Sequence, residues 1–309
     1  MFRKRIRSDG LTAVVTAAGG GHVATVVHDR AGPPRVTFHG FAAHEGGAGN
    51  SPELKRLLER AAAARCRAST LLDAGDYQLL LVEAPDVRPE ELRAAVRWRI
   101  KDLINFHIDD AVIDVFEIPD QRHANRNRMM YAIAARASQV STRAETLNDA
   151  GLAIDIVDIP EMAVRNLAAL LPEENRGLAM IHLNDDGGII TLSRQGTLYL
   201  TRRLDIGVRA LETADAAARE KLCEGVLLEV QRSLDYYDSH FPHGPVAALA
   251  LTPTAAATAL ADYLPRQLET AVLTPRLEDL LEFETAPEAL DGDAILAIGA
   301  ALRQEERAL

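Results

Sequence analysis

Residues 11–29 read LTAVVTAAGGGHVATVVHD, two β-branched runs separated by Gly19, Gly20 and Gly21. Runs of this kind on either side of a glycine turn are typical of a β-hairpin. A glycine turn can also bring backbone N–H groups close to a phosphate, because no side chain stands in the way. The stretch therefore predicts a hairpin, and it leaves open whether a nucleotide binds at the turn.

The same order of elements returns in the second half of the chain. Residues 178–200, LAMIHLNDDGGIITLSRQGTLYL, again place a short strand-like run before a turn at Asp186, Gly187 and Gly188, and a second run after it. Helical segments and further strands follow each hairpin. We therefore predict an α/β chain of two similar lobes that face each other across a cleft, which is a natural position for a ligand.

The pattern also predicts where the domains begin and end. We expect residues 1–10 to be a flexible basic N-terminus, residues 11–172 to form lobe 1 and residues 173–309 to form lobe 2. Within lobe 1, the segment RPEELRAAVRWRIKDLINF at residues 88–106 has apolar residues at helical spacing. A polar–apolar alternation follows and predicts a strand. Together they indicate an inserted α+β subdomain at about residues 86–125.

Composition excludes several classes of function. The chain has 309 residues, 48% of them hydrophobic and 26% charged, with a net charge of −11. The acidic balance argues against a nucleic-acid partner, because no basic stripe offsets it. Cys66 and Cys223 match no metal-site spacing, so no metal site is expected. No run approaches the roughly 18 apolar residues of a membrane span, which favours a cytoplasmic protein.

Four stretches carry a resemblance to a known family. They are YQLLLVEAPDVRPEELRAAVRWRIKDLINFHIDDAVIDVFEIP at 77–119, LNDAGLAIDIVDIPEMAVRNLA at 147–168, LLEVQRSLDYYDSHFP at 227–242 and ILAIGAALR at 295–303. The chain resembles the actin-like ATPase superfamily, and within it the PilM- and MshI-type proteins of type IV pilus assembly, including the mannose-sensitive haemagglutinin (MSHA) pilus. The resemblance implies a two-lobed PilM/FtsA-like fold with an inserted subdomain in lobe 1. The subdomain called 2B would be reduced or missing, because few residues separate Gly207 from Leu222.

The resemblance implies that ATP and Mg²⁺ would lie between the two hairpins, each with an Asp-Ile-Gly run. Here Thr16-Ala17-Ala18 and His182-Leu183-Asn184 stand in those places, and Thr252-Pro253-Thr254 replaces a glycine pair expected beside the adenosine. Since Mg²⁺ is usually held through carboxylates, we expect ATP hydrolysis to be lost. The remnant phosphate turns would be Thr16, Gly19, Gly20 and Gly21 in lobe 1, and Asp186, Gly187 and Gly188 in lobe 2.

The resemblance also implies a partner, the cytoplasmic tail of a PilN-like bitopic inner-membrane protein, and contacts with other pilus platform proteins. The chain would be a non-catalytic scaffold, peripheral on the inner membrane through these partners. Candidate contacts for the tail are Trp98, Ile100, Leu103, Ile104 and Phe106. Two alternatives remain: an actin-like ATPase with weak or regulatory nucleotide binding, and the cytoplasmic module of a GspL-like type II secretion platform. GspL-like proteins continue into a membrane span, which favours the pilus hypothesis for this sequence.

Overall fold

The computed structural model describes residues 10–17, 19–29, 32–43, 51–122, 128–255, 257–287 and 290–305, which form three β-sheets with helices around and between them. The strands are β1 (Gly10–Ala17), β2 (Gly20–Val27), β3 (Arg35–Ala43), β4 (Arg67–Leu71), β5 (Tyr77–Glu83), β6 (Ala111–Glu117), β7 (Met129–Arg136), β8 (Ile156–Asp158), β9 (Leu178–Leu183), β10 (Gly188–Arg194), β11 (Thr197–Leu204), β12 (Ala248–Leu251), β13 (Val272–Leu273) and β14 (Glu282–Phe283). The α-helices are α1 (Pro52–Arg60), α2 (Leu92–Ile100), α3 (Ala137–Asp149), α4 (Pro160–Ala168), α5 (Val208–Thr213), α6 (Ala216–His240), α7 (Ala257–Tyr263), α8 (Leu277–Leu280) and α9 (Gly292–Ala301).

The first sheet has the strand order β14-β3-β2-β1-β4-β8 and forms the body of lobe 1. The predicted hairpin is confirmed: β1 and β2 are antiparallel, and Ala17 pairs with Gly20. Helix α1 begins with Pro52, and the Ser51 hydroxyl accepts a hydrogen bond from the backbone N–H of Leu54 at 3.1 Å. A cap of this kind is worth about 1 kcal/mol, so the local sequence is enough to fix where the helix begins.

The second sheet has the strand order β11-β10-β9-β12-β13 and forms lobe 2. The predicted hairpin is again present, with β10 antiparallel to β9 and to β11. After β11 the chain forms only the short α5 before the long helix α6, which begins at Ala216. All residues between Gly207 and Ala216 are described, and they form no further subdomain, as the sequence predicted.

The third sheet, β5-β7-β6, belongs to the inserted subdomain. It draws its strands from Tyr77 to Arg136, so the subdomain is larger than the predicted residues 86–125. The prediction of one helix over residues 88–106 is also wrong. Helix α2 ends at Ile100, and the chain then turns, with the N–H groups of Leu103 and Ile104 donating to the Ile100 carbonyl.

A shared core joins the two lobes. Helices α4 and α9 lie between the first and second sheets, and their apolar residues cluster with residues of β1, β2, β9 and β12. The helices approach so closely that a Cβ on Gly299 would lie 2.5 Å from the carbonyl oxygen of Ala163. The division at residues 172 and 173 stays a prediction. Sheet membership agrees with it except at β14, which comes from the C-terminal segment and pairs with β3 of lobe 1.

Candidate functional site

A cavity of about 1340 Å³ opens between the lobes, where the two hairpin turns face each other. The turn after β1, the turn between β4 and β5, the turn between β9 and β10 and the start of α9 contribute to its lining. Of the predicted phosphate residues, Thr16, Gly19, Asp186, Gly187 and Gly188 line this cavity, which we call the cleft. The fold therefore brings the two predicted turns together at one place.

The glycines of the first hairpin do not form one continuous turn. Gly19 lies in the turn, whereas Gly20 and Gly21 belong to β2 and pair with Ala17 and Thr16. Gly20 is required for packing, because a Cβ there would lie 2.4 Å from the ring of Phe41. Neither Gly20 nor Gly21 lines the cleft, so the structure does not bring these two glycines to the predicted phosphate position. Ala18 lies outside the described residues.

The second turn is closed by its own side chain. The Asn184 Oδ1 accepts a hydrogen bond from the backbone N–H of Gly187 at 2.9 Å, and the Asn184 N–H donates to the Gly187 carbonyl at 3.0 Å. A Cβ on Gly188 would lie 2.4 Å from the Leu183 side chain. Close packing therefore explains why glycines stand at 187 and 188, and the N–H of Gly187 already donates its hydrogen bond to Asn184.

Arg143, which sequence reasoning missed, occupies the lobe 1 side of the cleft. It projects from α3, its side chain is only 11% exposed, and it contacts the Asp73 carboxylate at 2.5 Å and the Asp76 carboxylate at 3.4 Å. The same guanidinium donates a hydrogen bond to the Thr16 hydroxyl. The hydroxyl that was predicted to face a phosphate is therefore bound to a residue of the protein.

Carboxylates crowd the rest of the cleft. Asp185 and Asp186 share the guanidinium of Arg209, at 3.3 Å and 3.0 Å. Asp293, in the first turn of α9, has no ion pair among the described residues. Burial raises the pKa of Asp293 to about 6, and the neighbouring negative charges, Asp291 first among them, add to this rise. A site of this charge repels a nucleotide phosphate.

His182, at the place of the expected aspartate, is buried beneath the cleft. Its side chain is on the same face of β9 as Met180, which points into the core between the lobes. Its Nδ1 lies 3.1 Å from the Thr252 hydroxyl, its Nε2 has no hydrogen-bond partner, and burial lowers its pKa to about 4. Thr252, Pro253 and Thr254 do not line the cleft. Taken with Thr16 and Arg143, these residues do not fit a magnesium nucleotide.

The inserted subdomain exposes only part of the predicted tail-binding set. Ile100 is completely buried and Ile104 is 9% exposed, and both pack in the core between α2 and the third sheet. Phe106 is half-buried under the Arg136 guanidinium, 4.5 Å from the ring centre. Trp98 is 71% exposed and Leu103 is 56% exposed. A partner can therefore contact Trp98 and Leu103 directly, whereas it could reach Ile100 only by opening the core.

A buried polar cluster fixes the subdomain against the rest of the molecule. The Tyr77 hydroxyl donates to the Glu161 carboxylate at 2.5 Å, and Arg203 of β11 lies 3.7 Å from Glu161 and 4.7 Å from the Tyr77 ring centre. Burial raises the pKa of Glu161. Nearby, the backbone N–H of Thr201 donates to the Tyr131 hydroxyl at 3.3 Å. These contacts join the inserted subdomain to both lobes, and no local sequence signal predicts them.

Comparisons with known proteins support the predicted family resemblance over part of the chain. Residues 79–213 match the family described as type IV pilus assembly protein PilM. The matched stretch covers most of the inserted subdomain, the part of lobe 1 that follows it and the first part of lobe 2. A comparison with curated protein sequences gave no match. Among the described residues, no helix combines the length and the hydrophobicity needed to cross a membrane.

Solved structures establish the fold. The PilM–PilN type IV pilus biogenesis complex gives a TM-score of 0.70 at 19% identity, over 96% of this chain and 98% of that chain. The cytoplasmic domain of EpsL, an inner-membrane component of the type II secretion system of Vibrio cholerae, gives a TM-score of 0.53 at 14% identity, over 96% of each chain. The predicted two-lobed, actin-like ATPase fold is thereby confirmed.

Proposed function

We propose that this protein is a non-catalytic scaffold of a type IV pilus assembly platform and binds the cytoplasmic tail of a bitopic inner-membrane protein. The observation that carries the proposal is the match of residues 79–213 to the PilM family. This segment holds most of the inserted subdomain and its exposed Trp98. The PilM–PilN complex is a complex between two such pilus proteins, and its PilM chain shares this fold. By analogy, the partner here is a PilN-like protein.

The chemistry of the cleft supports the non-catalytic part of the proposal. No carboxylate stands at Thr16 or Ala17 to hold a metal ion, and the Thr16 hydroxyl is bound by Arg143. The N–H of Gly187 is taken by Asn184. A phosphate would meet Asp185, Asp186 and Asp293, and the arginines in the described lining of the cleft are already bound to groups of the protein. Hydrolysis of ATP would therefore lack the carboxylate expected at the first hairpin and a free cation for the phosphate among the described residues.

The tail-binding surface that we propose is formed by Trp98 and Leu103. Exposed tryptophan is rare on surfaces without a partner, and tryptophan is enriched among the residues that dominate binding energy at interfaces. The Lys101 ammonium lies 6.0 Å from the Trp98 ring centre. The two apolar side chains would receive an apolar segment of the tail, and the protein would lie on the cytoplasmic face of the inner membrane through this contact.

A pull-down with the N-terminal cytoplasmic tail of the PilN-like protein of the same organism tests the proposal. The intact protein is expected to bind the tail. Trp98→Ala is expected to weaken binding by about 2 kcal/mol, roughly 30-fold, as for a central aromatic contact. Leu228→Ala is the matched control, because Leu228 is an exposed apolar residue on α6 and does not belong to the inserted subdomain. Failure of the intact protein to bind any such tail would overturn the scaffold function.

The resemblance of residues 77–119 to MshI-type proteins favours the MSHA type of pilus as the system served. The alternatives predict different outcomes. An actin-like ATPase with weak or regulatory nucleotide binding would bind magnesium-ATP measurably in calorimetry, whereas the non-catalytic scaffold is expected to show no binding. A type II secretion module would bind the tail of a secretion protein in preference to that of a pilus protein.

A further inference from the structure

We propose that the cleft between the lobes binds a cationic group, a guanidinium or an ammonium, carried by a peptide or a polyamine. The cleft is a different site from the surface at Trp98 and Leu103, so this inference does not depend on the scaffold function. It follows from the charges that line the cavity and from one buried, unpaired nitrogen beneath it.

The described lining of the cleft carries an excess of negative charge. Six carboxylates line it against three guanidinium groups. The carboxylates are Asp73, Asp76, Asp185, Asp186, Asp205 and Asp293, and the guanidinium groups are those of Arg143, Arg203 and Arg209. The formal charge of this lining is therefore −3, in a concave site where charges interact more strongly than they do on an open surface.

The three arginines are already bound to groups of the protein. Arg143 contacts Asp73, Asp76 and the Thr16 hydroxyl. Arg209 pairs with Asp185 and Asp186, and Arg203 donates to the Ala74 carbonyl and lies beside Glu161.

Asp293 and Asp205 remain without an ion pair among the described residues. An added cation would therefore gain attraction from carboxylates that the chain itself leaves uncompensated.

His182 provides a second and independent observation. The residue lines the cleft and is 1% exposed, and its Nε2 atom has no hydrogen-bond partner. When Nδ1 carries the proton and donates it to the Thr252 hydroxyl, Nε2 is left as an acceptor. Buried polar atoms are nearly always paired, so an unpaired acceptor in a residue that lines the cleft points to a donor that comes from a ligand. Guanidinium and ammonium groups are donors only.

The arrangement favours an extended cation over a metal ion. No group of three or more His, Cys, Asp or Glu side chains that could hold a metal occurs in the part of the chain that the structure describes. The carboxylates are instead distributed over the walls: Asp73 and Asp76 belong to lobe 1, and Asp185, Asp186 and Asp205 belong to lobe 2. A cavity of about 1340 Å³ is larger than one amino acid needs, so a ligand with several cationic groups can contact both lobes.

Calorimetry on the full-length protein at low ionic strength tests the proposal with defined probes. These are a capped peptide of alternating arginine and serine, spermidine, free arginine, magnesium chloride and magnesium-ATP. We expect the peptide, spermidine or both to bind, and salt to weaken the binding. Binding of the peptide alone identifies a polypeptide as the source of the cation, whereas equal binding of spermidine identifies a free polyamine.

Two double variants with the same change of charge separate the cleft from the overall negative charge. Asp205→Asn combined with Asp293→Asn is expected to weaken cation binding by about tenfold, because it removes two uncompensated carboxylates. Asp102→Asn combined with Asp279→Asn changes exposed carboxylates outside the cleft and is expected to leave the affinity within about twofold. Urea unfolding of both variants shows that they are folded.

Three results would overturn the proposal. The first is no binding of any organic cation, and the second is an equal loss of affinity in both double variants, which would indicate non-specific attraction. The third is tighter binding of magnesium chloride or magnesium-ATP than of the organic cations. If the cleft binds no organic cation while the tail still binds at Trp98, only the cation-binding proposal fails, and the scaffold function is unaffected.

Discussion

Replacement of Asp293 by Asn is expected to stabilise the protein at neutral pH. Asp293 lies in the first turn of α9, and burial together with Asp291, Asp185, Asp73 and Asp186 raises its pKa from 3.8 to about 6. The folded state therefore holds the proton more tightly than the unfolded chain does. As the pH rises from the unfolded value through the folded value, the free energy of unfolding falls, because the carboxylate becomes charged in an unfavourable place.

The size of the effect follows from this shift. A rise from 3.8 to about 6 corresponds to at most about 3 kcal/mol, at about 1.4 kcal/mol per pKa unit. Partial exposure to solvent and screening by salt reduce this to about 1–2 kcal/mol. Asn also loses the favourable interaction of a negative charge with the start of a helix, about 0.5 kcal/mol. The net stabilisation expected at neutral pH is about 1 kcal/mol.

Urea unfolding over a series of pH values measures this difference. Below about pH 4, Asp293 is protonated in both states, so the advantage from removing its charge is absent. The advantage should grow through the interval up to about pH 6 and stay constant above it. Asp102→Asn is the matched control, because Asp102 is an exposed carboxylate just after α2. Its effect should stay within about 0.5 kcal/mol at every pH.

A stability difference between Asp293→Asn and the unmodified protein that does not change with pH would refute the reasoning. So would destabilisation at neutral pH. Either result would mean that burial and the neighbouring carboxylates do not oppose the ionisation of Asp293, and the description of the cleft as a site of excess negative charge would fail.

Two further pairs of substitutions test the structural roles of Arg143, in the cleft, and of Gly20, in the first hairpin. Arg143→Met should destabilise the protein by about 2 kcal/mol, because it leaves partly buried polar partners without their hydrogen-bond donor. Arg209→Met is the control: Arg209 belongs to an exposed ion pair, so its replacement should cost less than about 1 kcal/mol. Equal costs in urea unfolding would contradict the bridging role of Arg143. Gly20→Ala should cost about 1–3 kcal/mol through its clash with Phe41, whereas Gly19→Ala has no atom within 4 Å of the added Cβ and should be tolerated. A similar thermal stability of the two glycine variants would contradict the packing role of Gly20.

Local chemistry in the sequence predicts most of the secondary structure. The β-branched runs around Gly19 and around Gly187 form antiparallel pairs as expected, because their turns and their alternation are encoded within a few residues. The start of α1 follows from Ser51 and Pro52 in the same way. Local sequence signals are therefore sufficient to predict these elements.

Elements that depend on distant contacts could not be predicted. The helical spacing continues past Ile100, yet the chain turns there, and Ile104 still packs in the same core. The N–H of Asn105 is taken instead by the Gln78 side chain at 3.0 Å, a partner that local spacing does not reveal. Likewise β14 pairs with β3 over only two residues, Glu282 and Phe283, too short for a pattern to indicate.

In the candidate site too, local sequence predicts some features, whereas contacts between distant residues determine others. Thr16, Gly19 and Asp186 line one cleft, because each lies at or beside the turn of a hairpin at the same position in its lobe. Their role as phosphate contacts stays a prediction. The sequence could not show that Arg143 of α3 would bind the Thr16 hydroxyl, since the two residues lie 127 positions apart. Nor could helical spacing alone separate the exposed Trp98 from the buried Ile100.

The scaffold function is tested most directly by the fluorescence of Trp98, which is the only tryptophan in the chain and is 71% exposed. Titration with the N-terminal cytoplasmic tail of the PilN-like partner should shift the emission to shorter wavelength and saturate, as the indole leaves water for an apolar contact. A scrambled peptide of the same composition should leave the emission unchanged. Calorimetry measures tail binding in parallel. Saturable binding with no change in Trp98 emission would contradict the proposed surface. No binding by either method would contradict the scaffold function itself.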